Sequence, residues 1–192
     1  CLKADYNRIF KSDIIIDIIK VLGCGVEVNS KLSKELSNFD LNSLKWNKII
    51  ICTDADYDGY QIRTLILTMF YRLVPTLINN GLIYIAESPL YEIISKEKSY
   101  FAYTDQEKAD ILEMVKGQKY TIQRSKGLGE NEPDMMWLTT MNPQTRRLIK
   151  VTPEDANATS EMFDLLLGDN LQGRKDYIAQ NGQSYLELAD IS

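Results

Sequence analysis

The chain has 192 residues, 44% of them hydrophobic and 26% charged, and a formal net charge of −5. That is ordinary globular usage and predicts one domain, or one core with an appended piece. No run of about 18 or more apolar residues exists to span a membrane, and the acidic balance argues against holding nucleic acid by surface charge alone.

Residues 5 to 22 place Ile9, Phe10, Ile14, Ile15, Ile18, Ile19 and Leu22 at helical spacing, and Gly23 and Gly25 suit a helix end. Lys31 to Leu44 reads as a short helix and loop. Trp46 to Thr53 holds the continuous run Ile49, Ile50, Ile51 and Cys52, a strand covered on both faces. A long amphipathic helix follows from about Gly59 to Asn79, and Pro75 inside it predicts a kink or break. Gly81 ends it, and Leu82 to Ser95 is a second strand region interrupted at Pro89. Strand, helix, strand predicts a βαβ unit and therefore a parallel pair. Further on, "KSYFAYT" pairs as a hairpin, "DQEKADILEMVKG" is a capped helix, and "KYTIQRS" is a strand leading into the tight loop "KGLGE". "EPDMMWLTTM" reads as a short helix, "RRLIKVT" as a strand, and "PEDANATSEMFDLLLGD" as a helix with Pro153 in its first turn. The last twenty residues read as a docked polar tail.

The chain has no histidine, which removes Ser-His-Asp triads and His metal ligands. Its three cysteines, Cys1, Cys24 and Cys52, include no C-x-x-C pair. Neither a disulfide framework nor a zinc site is expected. Cys52 reads as a buried small hydrophobe, and a reduced, cytoplasmic protein is expected.

The chemistry concentrates in "TDADYDG", Thr53 to Gly59. On extended backbone Asp54 and Asp56 point to one side, at the carboxyl end of a strand, where open α/β sheets place ligands. Asp58 is placed to cap a helix starting at Gly59. Carboxylates gathered this way raise one another's pKa unless a cation intervenes. All-oxygen donors favour Mg²⁺, or Mn²⁺. A solvated acidic turn with a helix cap is the plainer reading. An EF-hand fails, because its twelfth position is Leu65 instead of Glu. A phosphotransferase of the haloacid-dehalogenase type, with Asp54 as nucleophile, stays open on these residues. In "RSKGLGENEP", Gly127 and Gly129 allow a tight turn, and Arg124 and Lys126 offer cations to a phosphate. "GDNLQGRK" only approaches a P-loop, because Arg174 and Lys175 replace the Lys and Ser/Thr. It gives no ATP site.

Four blocks in order, "TDADYDGYQIRTLILTMFYR", "GLIYIAESPLYEI", "KGLGE" and "WLTTMNPQTRRLIKV", resemble the B subunits of bacterial type IIA topoisomerases, the gyrase and topoisomerase IV family. "LGCGVEV" and "FDLLLGDNLQGRKDYI" extend the resemblance to nearly the whole chain. It implies an α/β fold: a Toprim-type, Rossmann-like parallel sheet flanked by helices over residues 1–95, and an α+β gyrase-B-type carboxyl-terminal extension over 96–192. It also implies an ATP-dependent enzyme that changes DNA topology, with an A-type partner subunit, double-stranded DNA and an A2B2 assembly. Asp54 and Asp56 match the family's metal ligands and Asp58 its third acid. Lys126, with Arg124, Gly127 and Gly129, falls in the loop assigned to DNA or partner contact. The cleaving tyrosine belongs to the partner, so no catalytic residue is expected in this chain. A module that only docks the partner is the remaining alternative. Two departures stand out. Tyr60 and Gln61 replace the family's Ser-His, and the family's E-G-D-S-A strand and R-G-K-I-L-N segment do not occur. The chain opens on Cys1 and reads as a fragment whose sheet lacks its first strand, with the ATP-binding domain elsewhere.

Overall fold

The computed structural model describes residues 3–28, 38–96, 98–125, 127–153 and 156–188. Two compact units interleave along the chain. The first takes Cys1–Ile49, Leu65–Ile83 and Val151–Ser192, and the second takes Ile50–Thr64 and Tyr84–Lys150. It is a mixed α/β protein with small sheets. No described helix is long and apolar enough to cross a membrane.

In the first unit, the helix expected over residues 5 to 22 is two helices, α1 (Tyr6–Ile9) and α2 (Asp13–Leu22). Lys11 and Ser12 donate to the carbonyls three residues back, at 3.3 and 3.1 Å, which closes α1 as a tight turn. Helix α2 stops at Gly23, whose φ of 80° is left-handed and suits glycine. Ile19 and Leu22 are buried, but Ile14 faces outward, against its place in the apolar pattern. The helix expected over Lys31 to Leu44 lies outside the described residues up to 37. Beyond them a single 3-10 turn spans Leu41–Ser43, capped by Asp40.

The long helix breaks where Pro75 requires it. Helix α3 (Tyr57–Leu73) ends, Val74 leaves helical geometry at φ −147°, and α4 (Pro75–Asn79) begins with the proline at its start. The Glu27 carboxylate accepts from the Thr76 N–H and hydroxyl at 2.8 and 2.9 Å, capping α4. Met69, Phe70, Leu73, Leu77 and Ile78 form the core of this unit with Ile19, Leu22 and Val26. The carboxyl end, expected as a docked polar tail, is helical over its described residues. After α7 (Ala156–Leu167), residues Leu171–Asn181 form a helix, α8, followed by a 3-10 segment over Gly182–Leu188. Asn170 starts α8 by accepting from the Gly173 N–H at 2.8 Å. Arg174 donates to the Gly168 carbonyl at the end of α7 at 2.7 Å. "GDNLQGRK" is therefore a helix-to-helix junction.

The sheets hold β1 (Ile49–Ile51), β2 (Ile83–Ala86), β3 (Tyr91–Ser95), β4 (Lys98–Ala102), β5 (Tyr120–Arg124) and β6 (Leu148–Lys150). One sheet has the order β1-β2-β6, with β6 antiparallel to β2. Neighbours β1 and β2 are joined through α3 and α4, the kind of crossover a parallel pair needs. Strand β1 is shorter than the predicted Trp46 to Thr53. The other sheet, in the second unit, has the order β4-β3-β5 and is antiparallel throughout, with Ile93 opposite Tyr100 and Ile122. Helix α5 (Asp105–Met114) starts at Thr104, whose hydroxyl accepts from the Glu107 N–H. Val115, just past its end, joins Ile93 and Ala102 in a small core. Helix α6 (Pro133–Met136) widens into a π turn over Trp137–Met141, closed by Asn142 N–H to the Trp137 carbonyl at 2.8 Å.

Candidate functional site

The acidic segment lies in the second unit, between the end of β1 and the first turns of α3. Asp54 is half-buried, and Asp56 and Asp58 are exposed. Helix α3 starts at Tyr57, two residues earlier than predicted, and its cap is Asp56 instead of Asp58. The Asp56 Oδ1 accepts from the Gly59 N–H at 2.7 Å, and its carbonyl accepts from the Tyr60 N–H at 3.0 Å. Three residues separate Asp56 from that donor, the spacing a side-chain cap needs. Asp58 therefore rides on the first turn with its carboxylate toward solvent.

Gly59 is fixed by space. A Cβ there would lie 2.0 Å from the Asp54 carbonyl oxygen, so the chain folds back over its own helix start only if this residue has no side chain.

The Gly127–Leu128 turn comes back to Asp54, with Leu128 74 residues further along the chain. The Leu128 N–H donates to Asp54 Oδ1 at 2.6 Å. A Cβ on Gly127 would lie 3.3 Å from Oδ2. Gly127 has φ −59° and ψ 153°, open to any residue, so its lack of a side chain matters for space and not for backbone freedom. Gly129 is exposed, and a Cβ there would meet nothing within 4 Å. Arg124 is exposed at the end of β5 and lines a groove together with Glu92, Gln123, Asn131, Glu132 and Met135. Lys126 lies outside the described residues. Tyr60 and Gln61 are exposed on α3, and the Arg63 guanidinium lies 5.0 Å over the Tyr60 ring.

Cys52 is half-buried, less enclosed than expected. Burial pushes its thiol up, the charge of Asp54 adds to this, and Arg63 opposes it. Without a metal, the thiol is held protonated at neutral pH.

The carboxylate donors fit a hard divalent cation as a partial set. The Leu128 N–H anchors Asp54 Oδ1, and Oδ2, beside Gly127, has no hydrogen-bond donor among the described residues. Asp56 spends Oδ1 on its helix. Among the described residues no three His, Cys, Asp or Glu side chains gather around one point. Mg²⁺ accepts such an arrangement, since it keeps several waters and uses one or two carboxylates plus phosphate oxygens. Sequence reasoning missed the Leu128 backbone donor and the demand for Gly59. A main-chain N–H has no residue signature, and only the glycine preceding Leu128 hinted at a close approach.

Two family models match the chain: the Toprim domain over residues 4–88, and the carboxyl terminus of the DNA gyrase B subunit over residues 117–179. The chain is similar to the DNA gyrase B subunit of Thermotoga maritima, 41% identical over 97% of this chain and 28% of the relative. It is 43% identical to that of Archaeoglobus fulgidus over 97% of this chain and 28% of the relative. Its counterpart in Clostridium acetobutylicum is 50% identical over 79% of this chain and 24% of the relative. The chain thus spans little more than a quarter of the length of the curated relatives it matches.

Proposed function

Because the chain belongs to the DNA gyrase B-subunit family, over its Toprim domain and carboxyl-terminal region, we propose that it is the metal-holding DNA-gate part of an ATP-dependent type II topoisomerase. In this reading the Toprim part covers residues 1–95 and the gyrase-B-type region covers 96–192. The whole subunit works in the cytoplasm on double-stranded DNA with an A-type partner, as an A2B2 assembly. ATP is bound by a separate domain of the same polypeptide.

One observation carries the reading to the site. Asp54, at the strand-to-helix junction of the Toprim match, has one oxygen anchored by the Leu128 N–H and the other without a hydrogen-bond donor among the described residues. Asp54 and Asp56 hold the cation, Mg²⁺ or Mn²⁺, and Asp58, on the exposed first turn, is an alternate ligand or a holder of its waters. Such a cation lends Lewis acidity beside the scissile phosphate and favours departure of the 3′ oxygen. The partner's tyrosine attacks the phosphate and forms a phosphotyrosyl bond. The reverse attack by the 3′ oxygen reseals the strand. This chain supplies no nucleophile. Arg124, Lys126, Gly127 and Gly129 belong to the loop that meets DNA or the partner. An acidic chain can serve at DNA this way because the cation, with the partner, supplies the positive charge.

The test uses the full-length protein with its A-type partner, ATP and Mg²⁺ on plasmid DNA. The expected outcome is supercoiling or relaxation that stops when Mg²⁺ is chelated. Unchanged topology under all conditions contradicts the reading. If, instead, a phosphoryl donor leaves an acyl-phosphate on Asp54, the phosphotransferase reading replaces it. Partner binding without metal binding would leave only a docking role.

A further inference from the structure

We infer that the Gly127–Leu128 turn is a positioning element for the metal-binding carboxylate, in addition to any outward contact of its loop. The inference rests on the metal-holding role proposed above for Asp54. Three observations carry it. The Leu128 N–H holds Oδ1 at 2.6 Å, a short charge-assisted bond that fixes the rotation of the carboxylate. The space beside Oδ2 is kept open by an absent side chain at Gly127, where a Cβ would stand 3.3 Å away. The neighbouring Gly129 has no such relation to any group, since a Cβ there would meet nothing within 4 Å. One glycine of the loop therefore faces the acid and the other does not.

Hydrogen-bond partners behind a metal ligand set its orientation and basicity. Here that partner is a main-chain donor on a loop distant in sequence. Whatever moves the loop, DNA or the A-type partner, also turns Asp54. Metal affinity at the gate is thereby coupled to engagement of the loop, and the coupling must be reciprocal.

The backbone allows a direct test. Gly127 sits at φ −59° and ψ 153°, the region a residue before proline prefers, and Leu128 is the first residue of its 3-10 turn. Leu128→Pro thus deletes the N–H without forcing a new backbone, and its ring Cδ turns the Asp54 carboxylate out of the anchored position, while Leu128→Ala keeps the N–H and removes only the side chain. Mn²⁺ binding to the nucleotide-free full-length protein is read by calorimetry and by loss of the free-ion electron paramagnetic resonance signal. Leu128→Pro should bind more weakly, on the order of 10–100-fold. Gly127→Ala should weaken binding in the same direction, while Leu128→Ala keeps the parent's affinity. In cleavage assays with the A-type partner, Leu128→Pro should raise the Mg²⁺ concentration for half-maximal cleavage and leave the plateau at saturating Mg²⁺ intact. A merely structural role would lower the plateau as well. Should Leu128→Pro fail to fold, Gly127→Ala against Leu128→Ala decides. A folded Leu128→Pro or Gly127→Ala with the parent's Mn²⁺ affinity overturns the role of the turn alone. A parent that binds no Mn²⁺ overturns the metal-holding reading, and this inference with it.

Discussion

Asp54 is held from both directions of the chain, and its neighbours are chosen for what they lack. Gly59 leaves room for the Asp54 carbonyl, and Gly127 leaves room for its Oδ2. Gly59→Ala pushes a methyl group to within 2.0 Å of backbone, where no flexible side chain can yield. It should destabilise by about 1–3 kcal/mol or more through overpacking, read as a lower urea midpoint. An unchanged midpoint would mean that the loop over the helix start is not as close as described.

Glu107 offers a second test at this scale. Burial works against its charge, but the Arg147 guanidinium at 2.7 Å and the Tyr103 N–H at 2.8 Å outweigh that and hold its pKa below the usual 4.5. A carboxyl whose folded pKa is lowered adds stability above its unfolded value and loses it as pH falls through the folded one. The contribution is therefore complete at neutral pH and disappears in acid, below 4.5. Glu107→Gln should flatten that acid decline in unfolding midpoints measured across pH. An equally steep decline would show that Glu107 plays no part in it.

At the scale of elements, local chemistry decides most boundaries. Thr104 caps α5 with its hydroxyl, so Thr104→Ala should cost about 1 kcal/mol, and Thr104→Ser should restore most of it; equal losses in both would place the effect outside the cap. The sequence made the same kind of feature legible elsewhere. Pro75 announced the break between α3 and α4, Pro89 the gap between β2 and β3, and Gly23 the end of α2. What it hid depended on contacts too weakly patterned to read. Helix α8 has no strong apolar stripe, and its start rests on Asn170 bonding forward to Gly173. The interruption between α1 and α2 falls inside an unbroken helical pattern, because the periodicity of Ile9, Phe10 and Ile14 does not record that Lys11 and Ser12 turn tightly. In the site, three carboxylates at alternate positions were visible as a group, but not their separate duties. Which aspartate caps the helix depended on where α3 begins. Which aspartate receives a distant N–H depended on a tertiary contact between residues 54 and 128.

At the scale of the whole molecule, the chain spans 28% of the Thermotoga maritima relative it matches along most of its own length. Its proposed work is accordingly part of a larger cycle. In that proposal the chain contributes oxygen donors and a turn that orients one of them, and the nucleophile and the ATP-driven motion come from elsewhere in the assembly. On the proposed reading, in which the nucleophile belongs to the partner, an isolated chain should neither cleave DNA nor change its topology. The most direct measurement is Mg²⁺-dependent double-strand cleavage of plasmid by the full-length protein with its A-type partner, parent against Asp54→Ala, with ATP hydrolysis followed in parallel. Cleavage should be lost at every Mg²⁺ concentration while ATP hydrolysis persists. Undiminished cleavage by Asp54→Ala would contradict the assignment of this segment as the metal-holding part of the gate.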